Sequence, residues 1–480
     1  MLDPLRCLLP QPAVVEPLPA HLPVTAASRV VPGAGLGDDE HTVSHLLADL
    51  QRATGLRLGR GRADGPAKGD IVLRIDPTLP YGEEGYELLI DETGAFLTAA
   101  AGHGLWNGSR TLLQLFTHDH ADTRLPAVRI VDTPRFEWRG AMLDVARHFF
   151  GVDYVMRFVE LIARYKINRL HLHLTDDQGW RLAVDGWPAL TAIGATGGIG
   201  NDIGGYFSRT DYAEIVAHAA RHFVTIVPEV DMPGHTHAAL ASVPGLNLDG
   251  ICPPPYSGQD VGFSSLQLGA PATRQLIHDV IGQLADDTPG HYLHIGGDEA
   301  SVTSDGDYRE FISVLHDEVR ARGKRMIGWE EIATTRPGAD TLVQHWLRPH
   351  VAVATSTARY VMSPAAHTYF DMRHSAECPV GRQWAGSIEL DTAYEWNPAA
   401  LLVGVDDDRI AGVEAALWTE RVHSFADVEY LCFPRLLCLA EVGWTPQALR
   451  QWPSFRPRLA LHAHRLADIN VHLYRSPLLT

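Results

Sequence analysis

Cysteine is scarce in this chain. Five occur in 480 residues (Cys7, Cys252, Cys378, Cys432 and Cys438), they are scattered, and no C-x-x-C pair is present. An odd, dispersed set suggests neither a disulfide framework nor a cysteine zinc site, and it fits a reducing compartment best. The loop 246–268 holds Cys252 alone, so it cannot close on itself through a disulfide. Positive charge is also short: 40 lysines and arginines face 58 aspartates and glutamates, a net charge of −18. That balance argues against nucleic acid or an anionic membrane surface as the main partner. No apolar run approaches the ~18 residues of a membrane span. The N-terminal stretch is broken by prolines, carries Asp3 early, and has no basic segment leading into an unbroken apolar core. With no mark of a secretory signal, the expected location is the cytoplasm. Internal repeats are lacking, and the glycine-rich loop 194–205 is the one segment of biased composition.

The apolar content of 45% and charged content of 20% are those of a soluble globular protein, and the length implies two or three domains. Residues 1 to about 135 mix short strand-like runs, 71–75 and 86–90, with a helix over 104–116. Asp132-Thr133-Pro134 then reads as a hinge. Beyond it the rhythm changes. Apolar runs at 141–145, 169–175, 224–230, 292–296, 325–329, 342–346, 360–363 and 412–418 read as eight strands. Helices are predicted over 153–165 (Asp153 as N-cap), 211–223, 271–286, 308–322 and 426–441, and no long helix over 330–341 or 364–411. Strands alternating with helices predict an α/β chain, a (β/α)8 TIM-type barrel over 136–480 preceded by a smaller α+β domain over 1–135. Such a barrel works at the C-terminal ends of its strands.

The residues just past those strands are chemical. Strand four ends as His294-Ile295-Gly296-Gly297-Asp298-Glu299. Two glycines remove side chains where a substrate comes close to the backbone. Two adjacent acids repel, which favours one protonated and one charged carboxyl near neutral pH. The other ends offer Arg147-His148, Asp176-Asp177, Glu229 with Asp231 and His235, Trp329, Trp346, Tyr369 with Asp371, and Trp418-Thr419-Glu420, with Trp384 further along loop seven. Tryptophans ringed around carboxylates suit a sugar, whose C–H faces stack on aromatic rings while its hydroxyls take Asp, Glu and Arg.

Taken in order, Arg147-His148-Phe149-Phe150, the run from His171 to Trp180, Pro228-Glu229-Val230-Asp231-Met232-Pro233-Gly234-His235, His294 to Glu299, and Leu417-Trp418-Thr419-Glu420 resemble the β-N-acetylhexosaminidases of glycoside hydrolase family 20. The resemblance runs from about Arg139 to the C-terminus, and the first domain resembles that family's small companion domain. It implies an exo-acting retaining enzyme that removes terminal non-reducing β-linked GlcNAc or GalNAc without metal or organic cofactor. In that scheme the substrate's own 2-acetamido oxygen attacks the anomeric carbon, giving an oxazolinium-like intermediate. It further implies Glu299 as general acid and then base, Asp298 as the orienter of the acetamido N–H, and Tyr369 as a hydrogen-bond donor to the acetamido oxygen. Trp329, Trp346 and Trp418 would wall the acetamido methyl. Arg147, Asp371 and Glu420 would bind hydroxyls, with Trp384 part of the sugar platform. Asp176 and His235 would support the acidic pair, or else be satisfied polar residues of the barrel interior.

One departure bears on which sugar or leaving group is accepted: Glu330 follows Trp329, where relatives often carry a neutral or basic residue. Three other readings remain open at this point. His171-x-His173 on a strand, and His235-x-His237 after a Pro-Gly turn, could ligate a metal in a metal-dependent barrel hydrolase. A sugar-binding protein without catalysis would use the same aromatic ring. A disaccharide-releasing relative would need a longer pocket.

Overall fold

The computed structural model describes residues 3–479 apart from 34, 37–39, 63–64, 117–122, 201 and 348–356. Residue 201, inside the glycine-rich loop, therefore lies outside the described residues. The chain begins with a seven-stranded mixed sheet. Its strands are β1 (Val14–Pro23), β2 (Arg29–Pro32), β3 (Gly59–Arg60), β4 (Asp70–Ile75), β5 (Tyr86–Ile90), β6 (Gly94–Ala99) and β7 (Arg124–Asp132), ordered β1-β7-β5-β6-β4-β2-β3. Helices α1 (Glu40–Thr54) and α2 (Gly102–Gln114) pack with this sheet, and Leu46, Leu50, Leu105 and Leu112 share one apolar cluster with Ile71, Leu88 and Leu97. Only β4, β5 and α2 were predicted here. Strands β1, β2 and β7 carry prolines and β3 is two exposed residues, which weakens their pattern, whereas α1 and β6 carry no such mark and were missed.

The eight predicted barrel strands are all present. They are β8 (Trp138–Asp144), β9 (Arg169–His173), β10 (Thr225–Glu229), β11 (Tyr292–His294), β12 (Arg325–Trp329), β13 (Leu342–His345), β14 (Arg359–Met362) and β15 (Ile410–Leu417), parallel and closed through β15–β8 pairing. Every residue of β8 and β15 is buried, as a parallel sheet sheathed by helices requires. The outer helices include α3 (Val152–Ala163), α4 (Arg209–Arg221), α5 (Thr273–Asp287), α6 (Asp305–Ala321), α7 (Phe425–Cys432), α8 (Arg435–Trp444) and α9 (Trp452–Asp468). Among the described residues no helix is long and apolar enough to cross a membrane.

The helical predictions need three corrections. Gly151, not Asp153, caps α3, and Asp153 stands in the first turn, where its carboxylate complements the helix dipole. The single helix expected over 426–441 is two, α7 and α8, because Pro434 has no N–H to continue the ladder. Helix α9 was not predicted: it carries Pro453 in its first turn and Pro457 inside it, residues that read as helix breakers. As expected, 330–341 and 364–411 hold only short turns of helix, such as Glu330–Thr335, Ala365–Thr368 and Leu390–Tyr394.

The barrel and the first sheet meet at a buried acid. Asp132, at the end of β7, accepts hydrogen bonds at its Oδ2 from Tyr86 Oη (2.8 Å), Trp444 Nε1 (2.9 Å) and Lys166 Nζ (3.1 Å). Trp444 belongs to the barrel's last helical layer, yet its ring sits in the apolar cluster of the first sheet.

Candidate active site

The barrel's floor is polar and tightly paired. Glu229, at the end of β10, lies 2.5 Å from His173 Nδ1, 2.9 Å from His171 Nε2 and 3.0 Å from His294 Nδ1, and accepts Trp329 Nε1–H at 2.8 Å. Burial opposes charge on His171 and His173. Glu229 outweighs it with help from Glu414 in the first case and Asp176 in the second, and the rings are pushed up to about 9 and about 10. Carboxylates stand at both nitrogens of each ring, Glu229 and Glu414 at His171 and Glu229 and Asp176 at His173, so the pair is held within the barrel's own polar network. His237 is no better placed, because its Nε2 is bound to the Pro254 carbonyl at 2.8 Å.

Above this floor lies a cavity of about 290 Å³. Glu299, 37% exposed at its side chain, and buried Asp298 enter it side by side from the end of β11. His235 faces both: its Nε2 is 3.6 Å from Asp298 Oδ2 and 3.5 Å from Glu299 Oε2, while its Nδ1 lies 3.1 Å from Asp176 Oδ1. Burial disfavours the charged ring, but Asp176 and then Asp298 and Asp231 outweigh it and raise its pKa well above the ordinary value. Asp176 is held far below the carboxylate range: burial opposes this, and the Arg147 guanidinium at 2.7 Å, followed by His235, prevails. Asp298 is displaced the other way, raised by burial and by the negative charge of Glu299 and Glu229. The two neighbouring acids thus have unlike environments, one buried and one open.

Opposite the acids stands an aromatic wall. Trp346 and Tyr369 stack with centroids 6.0 Å apart and an 8° interplanar angle, and Trp384, 48% exposed, meets both edge-on at the rim. Trp418 forms the floor beneath Arg147, whose guanidinium carbon lies 4.9 Å from its ring centre. Trp329 is a partial exception. It is fully buried and packs behind Trp418 (5.6 Å), outside the residues that line the cavity. Asp371 and Glu420 hold one side. Both Asp371 oxygens and one Glu420 oxygen are buried without a hydrogen-bond partner, a costly arrangement that marks acceptors waiting for donors. Burial, and Glu420 next to it, raise the Asp371 pKa well above the usual range.

Two residues, Arg382 and Glu331, escaped the sequence reading, and a third, Asp231, stood there only as a strand-end acid without a role. Arg382 lines the cavity and donates to Glu420 at 2.7 Å. Asp231 accepts the Gly297 N–H at 2.9 Å and sits with Asp298, its own pKa raised well above normal by burial and then by that neighbour. Glu331 accepts the Trp346 indole N–H at 3.2 Å. Arg382 stands two residues before the noted Trp384, which is the one signal that pointed to it. Glu330 has a different place from the one expected. It does not line the cavity, and its Oε2 accepts the backbone N–H groups of Trp346 and Leu347, each at 3.1 Å, beside His345 Nδ1 at 2.8 Å. Glu330 and Glu331 therefore grip Trp346 by its backbone and by its ring.

Burial raises the Glu331 pKa to about 8, with Asp298 and Glu330 adding to it. A folded-state pKa above the unfolded one favours the protonated native form. Its contribution to stability is complete below about 4.5 and is lost as pH rises through about 8. Glutamine at position 331 keeps an acceptor for Trp346 and removes the titration. Glu331→Gln is expected to retain activity within about threefold at pH 6. Its melting temperature should gain on wild type steadily between those pH values, by the equivalent of ~1–3 kcal/mol, and then level off. A scanning-calorimetry series across pH checks this.

The strand-end glycines serve the backbone, not the substrate, contrary to expectation. Gly296 and Gly297 have φ of 68° and 94°, and a Cβ on Gly296 would lie 1.7 Å from Asp231 Oδ1. Neither lines the cavity. At Gly296 the space that a side chain would fill is taken by the Asp231 carboxylate. Gly296→Ala is expected to cost ~3 kcal/mol or more and to displace Asp298, leaving activity below ~1% of wild type even where the variant folds. Denaturant unfolding and assay of the soluble fraction test it.

Sequence and structure comparisons agree with this geometry. The family model for glycosyl hydrolase family 20, catalytic domain, matches residues 136–310 and 303–447, and that for glycosyl hydrolase family 20, domain 2, matches 6–133. A β-N-acetylhexosaminidase of Cellulomonas fimi is 38% identical over 98% of the chain and 96% of the relative. A solved family 20 β-N-acetylhexosaminidase of Streptomyces coelicolor A3(2) superposes with a TM-score of 0.94 at 40% identity, covering 98% of each chain. The Streptomyces plicatus N-acetyl-β-hexosaminidase in complex with Thio-NAglucal gives 0.93 at 41% identity, over 99% of this chain and 97% of that one. Fold, strand-end chemistry and relatives converge, and the chain belongs to glycosyl hydrolase family 20: it is a glycoside hydrolase of the β-N-acetylhexosaminidase class, built from that family's catalytic domain and domain 2.

Proposed function

We propose that the chain is an exo-acting retaining enzyme that removes single terminal β-linked GlcNAc or GalNAc residues from the non-reducing ends of oligosaccharides or glycoconjugates. The observation that carries this reading is the pairing of Asp298 and Glu299 against one histidine, across a small cavity from the Trp346–Tyr369–Trp418 wall. Glu299, the more open acid, protonates the leaving oxygen and later activates water. Asp298 takes the acetamido N–H and offsets the positive charge that grows on it, while the Tyr369 hydroxyl donates to the acetamido oxygen. A nucleophile carried by the substrate needs only positioning, and the aromatic wall supplies that. Trp346 and Trp418 enclose the methyl group, with Trp329 backing Trp418. The unpartnered oxygens of Asp371 and Glu420, together with Arg147, take ring hydroxyls, and Trp384 covers the rim. Asp176 and His235 keep a positive charge beside the acidic pair.

A volume of about 290 Å³ stands at the bottom of the small-molecule range and suits one sugar ring. That favours monosaccharide over disaccharide release. The lining residues all come from the barrel, which supports a division near residue 135 into a buttressing domain and a catalytic one. The free cysteines, four of them buried, support a reducing, cytoplasmic setting.

The test is a panel of aryl β-glycosides with and without the 2-acetamido group. Hydrolysis confined to the acetamido sugars, with inhibition by a thiazoline analogue of the oxazoline, is the expected result. Equal cleavage of plain glucosides would remove the basis for substrate participation.

A further inference from the structure

Far from the catalytic cavity, the outer surface of the barrel carries a second cluster of ligating side chains. His218 and His222 sit one turn apart, on α4 and at its C-terminal cap, and Glu160 reaches them from the neighbouring α3. One nitrogen of each ring and one oxygen of Glu160 lie within 4.8 Å of one another. We propose that Glu160, His218 and His222 form a binding site for a divalent transition-metal ion, of which zinc is the best fit, with water at the fourth position.

Four observations support the site. First, Nε2 of His218 is buried and makes no hydrogen bond, and Glu160 Oε1 stands 3.5 Å from it. That is long for a hydrogen bond. It is close to the edge of a ligand tetrahedron, about 3.3 Å for metal–ligand bonds of ~2.0–2.1 Å. Second, both rings are suited to donate lone pairs. Burial lowers the His218 pKa, although Glu160 and the Met156 carbonyl favour its proton, and burial takes His222 down to about 4. Third, His222 Nδ1 is 2.9 Å from the His218 carbonyl, the kind of backbone anchor that fixes the orientation of a ligating imidazole. Fourth, access exists, since the Glu160 side chain is half exposed. Two groups compete for His218: the Met156 carbonyl, which favours its proton, and Arg221, whose Nη2 lies 3.5 Å from His218 Nδ1, a long contact from an exposed side chain.

Two imidazoles and a carboxylate are a donor set that zinc accepts readily and that magnesium or calcium does not favour. The location gives the ion a structural role. His45 of α1 meets the His222 ring edge-on at 4.8 Å, and Trp106 of α2 meets it at 5.5 Å, so the site abuts the seam with the first domain. An ion there ties α3 to α4 beneath that seam and stabilises the native chain by mass action.

The experiment is a calorimetric titration of Zn²⁺ into the full-length, chelator-treated and dialysed protein, with thermal melts in parallel. One ion per chain with a micromolar Kd is expected, together with a rise in melting temperature of about 2–5 °C at saturation. The His218→Asn/His222→Asn variant should lose both, while its hydrolysis of an aryl glycoside stays within twofold of wild type. Should that variant fail to fold, Glu160→Gln, a half-exposed change, is expected to weaken binding at least ~10-fold. No saturable binding, or zinc binding equal to wild type in whichever variant folds, overturns the proposal. Loss of hydrolysis on chelation also overturns it, since the ion would then lie elsewhere.

Discussion

Glutamine at position 299 is expected to lower kcat on a β-GlcNAc aryl glycoside by ~10²–10⁴, the usual worth of a positioned acid–base group. Glu299 is the open member of the acidic pair, so the substitution perturbs little else, and KM should change far less than kcat. The leaving group sharpens the test. A nitrophenolate departs without protonation, and for it the defect should lie mainly in activating water. A sugar leaving group needs the proton, and for it both steps suffer. The loss on a chitobiose-type substrate should therefore exceed the loss on the nitrophenyl glycoside. Equal losses on both would mean that Glu299 does not donate to the leaving oxygen, and near-normal rates would remove it from the mechanism.

Asp298→Asn should cut kcat by ~10²–10³, through the loss of a fixed charge at the place where charge develops. Its side chain is buried, lies 3.6 Å from His235 Nε2 and leaves Oδ1 without a partner, so the carboxylate is held ready for a donor. Asparagine keeps the shape and removes the charge. Because Asp298 acts on the acetamido arm, affinity for the thiazoline inhibitor should fall in step with kcat, which is not expected for Glu299→Gln. Parallel measurement of kcat and the inhibition constant in the two variants separates the roles. An Asp298→Asn enzyme that binds the thiazoline as tightly as wild type would place the residue outside the acetamido site.

Much of this was legible in the sequence because parallel barrel strands announce themselves. Buried on both faces, they read as compact apolar runs, and the residues just beyond them are those that can reach the cavity. The first domain was harder. β1 carries Pro17 and Pro19 and breaks register between Pro17 and His21, features that read as a loop. They are tolerated because β1 is an edge strand with one ladder to satisfy. Within the site, the residues that were missed or given no role act through neighbours distant in sequence. Asp231 matters because β10 and β11 are adjacent, and Glu331 because the chain returns after a turn of helix to set Trp346 against it. Trp329 shows the converse: its spacing placed it at a strand end, but only the packing reveals that Trp418 stands in front of it.

Asp132 has a consequence for engineering. Its carboxylate serves a phenol from one half of the chain and an indole and an ammonium from the other, so neither half has an electrically complete interior by itself. A barrel cut free near Thr133 would inherit a cation with no counter-charge and a tryptophan with no sheet over it. The barrel and the leading sheet share one buried ionic network, so this barrel should be grafted with that sheet attached.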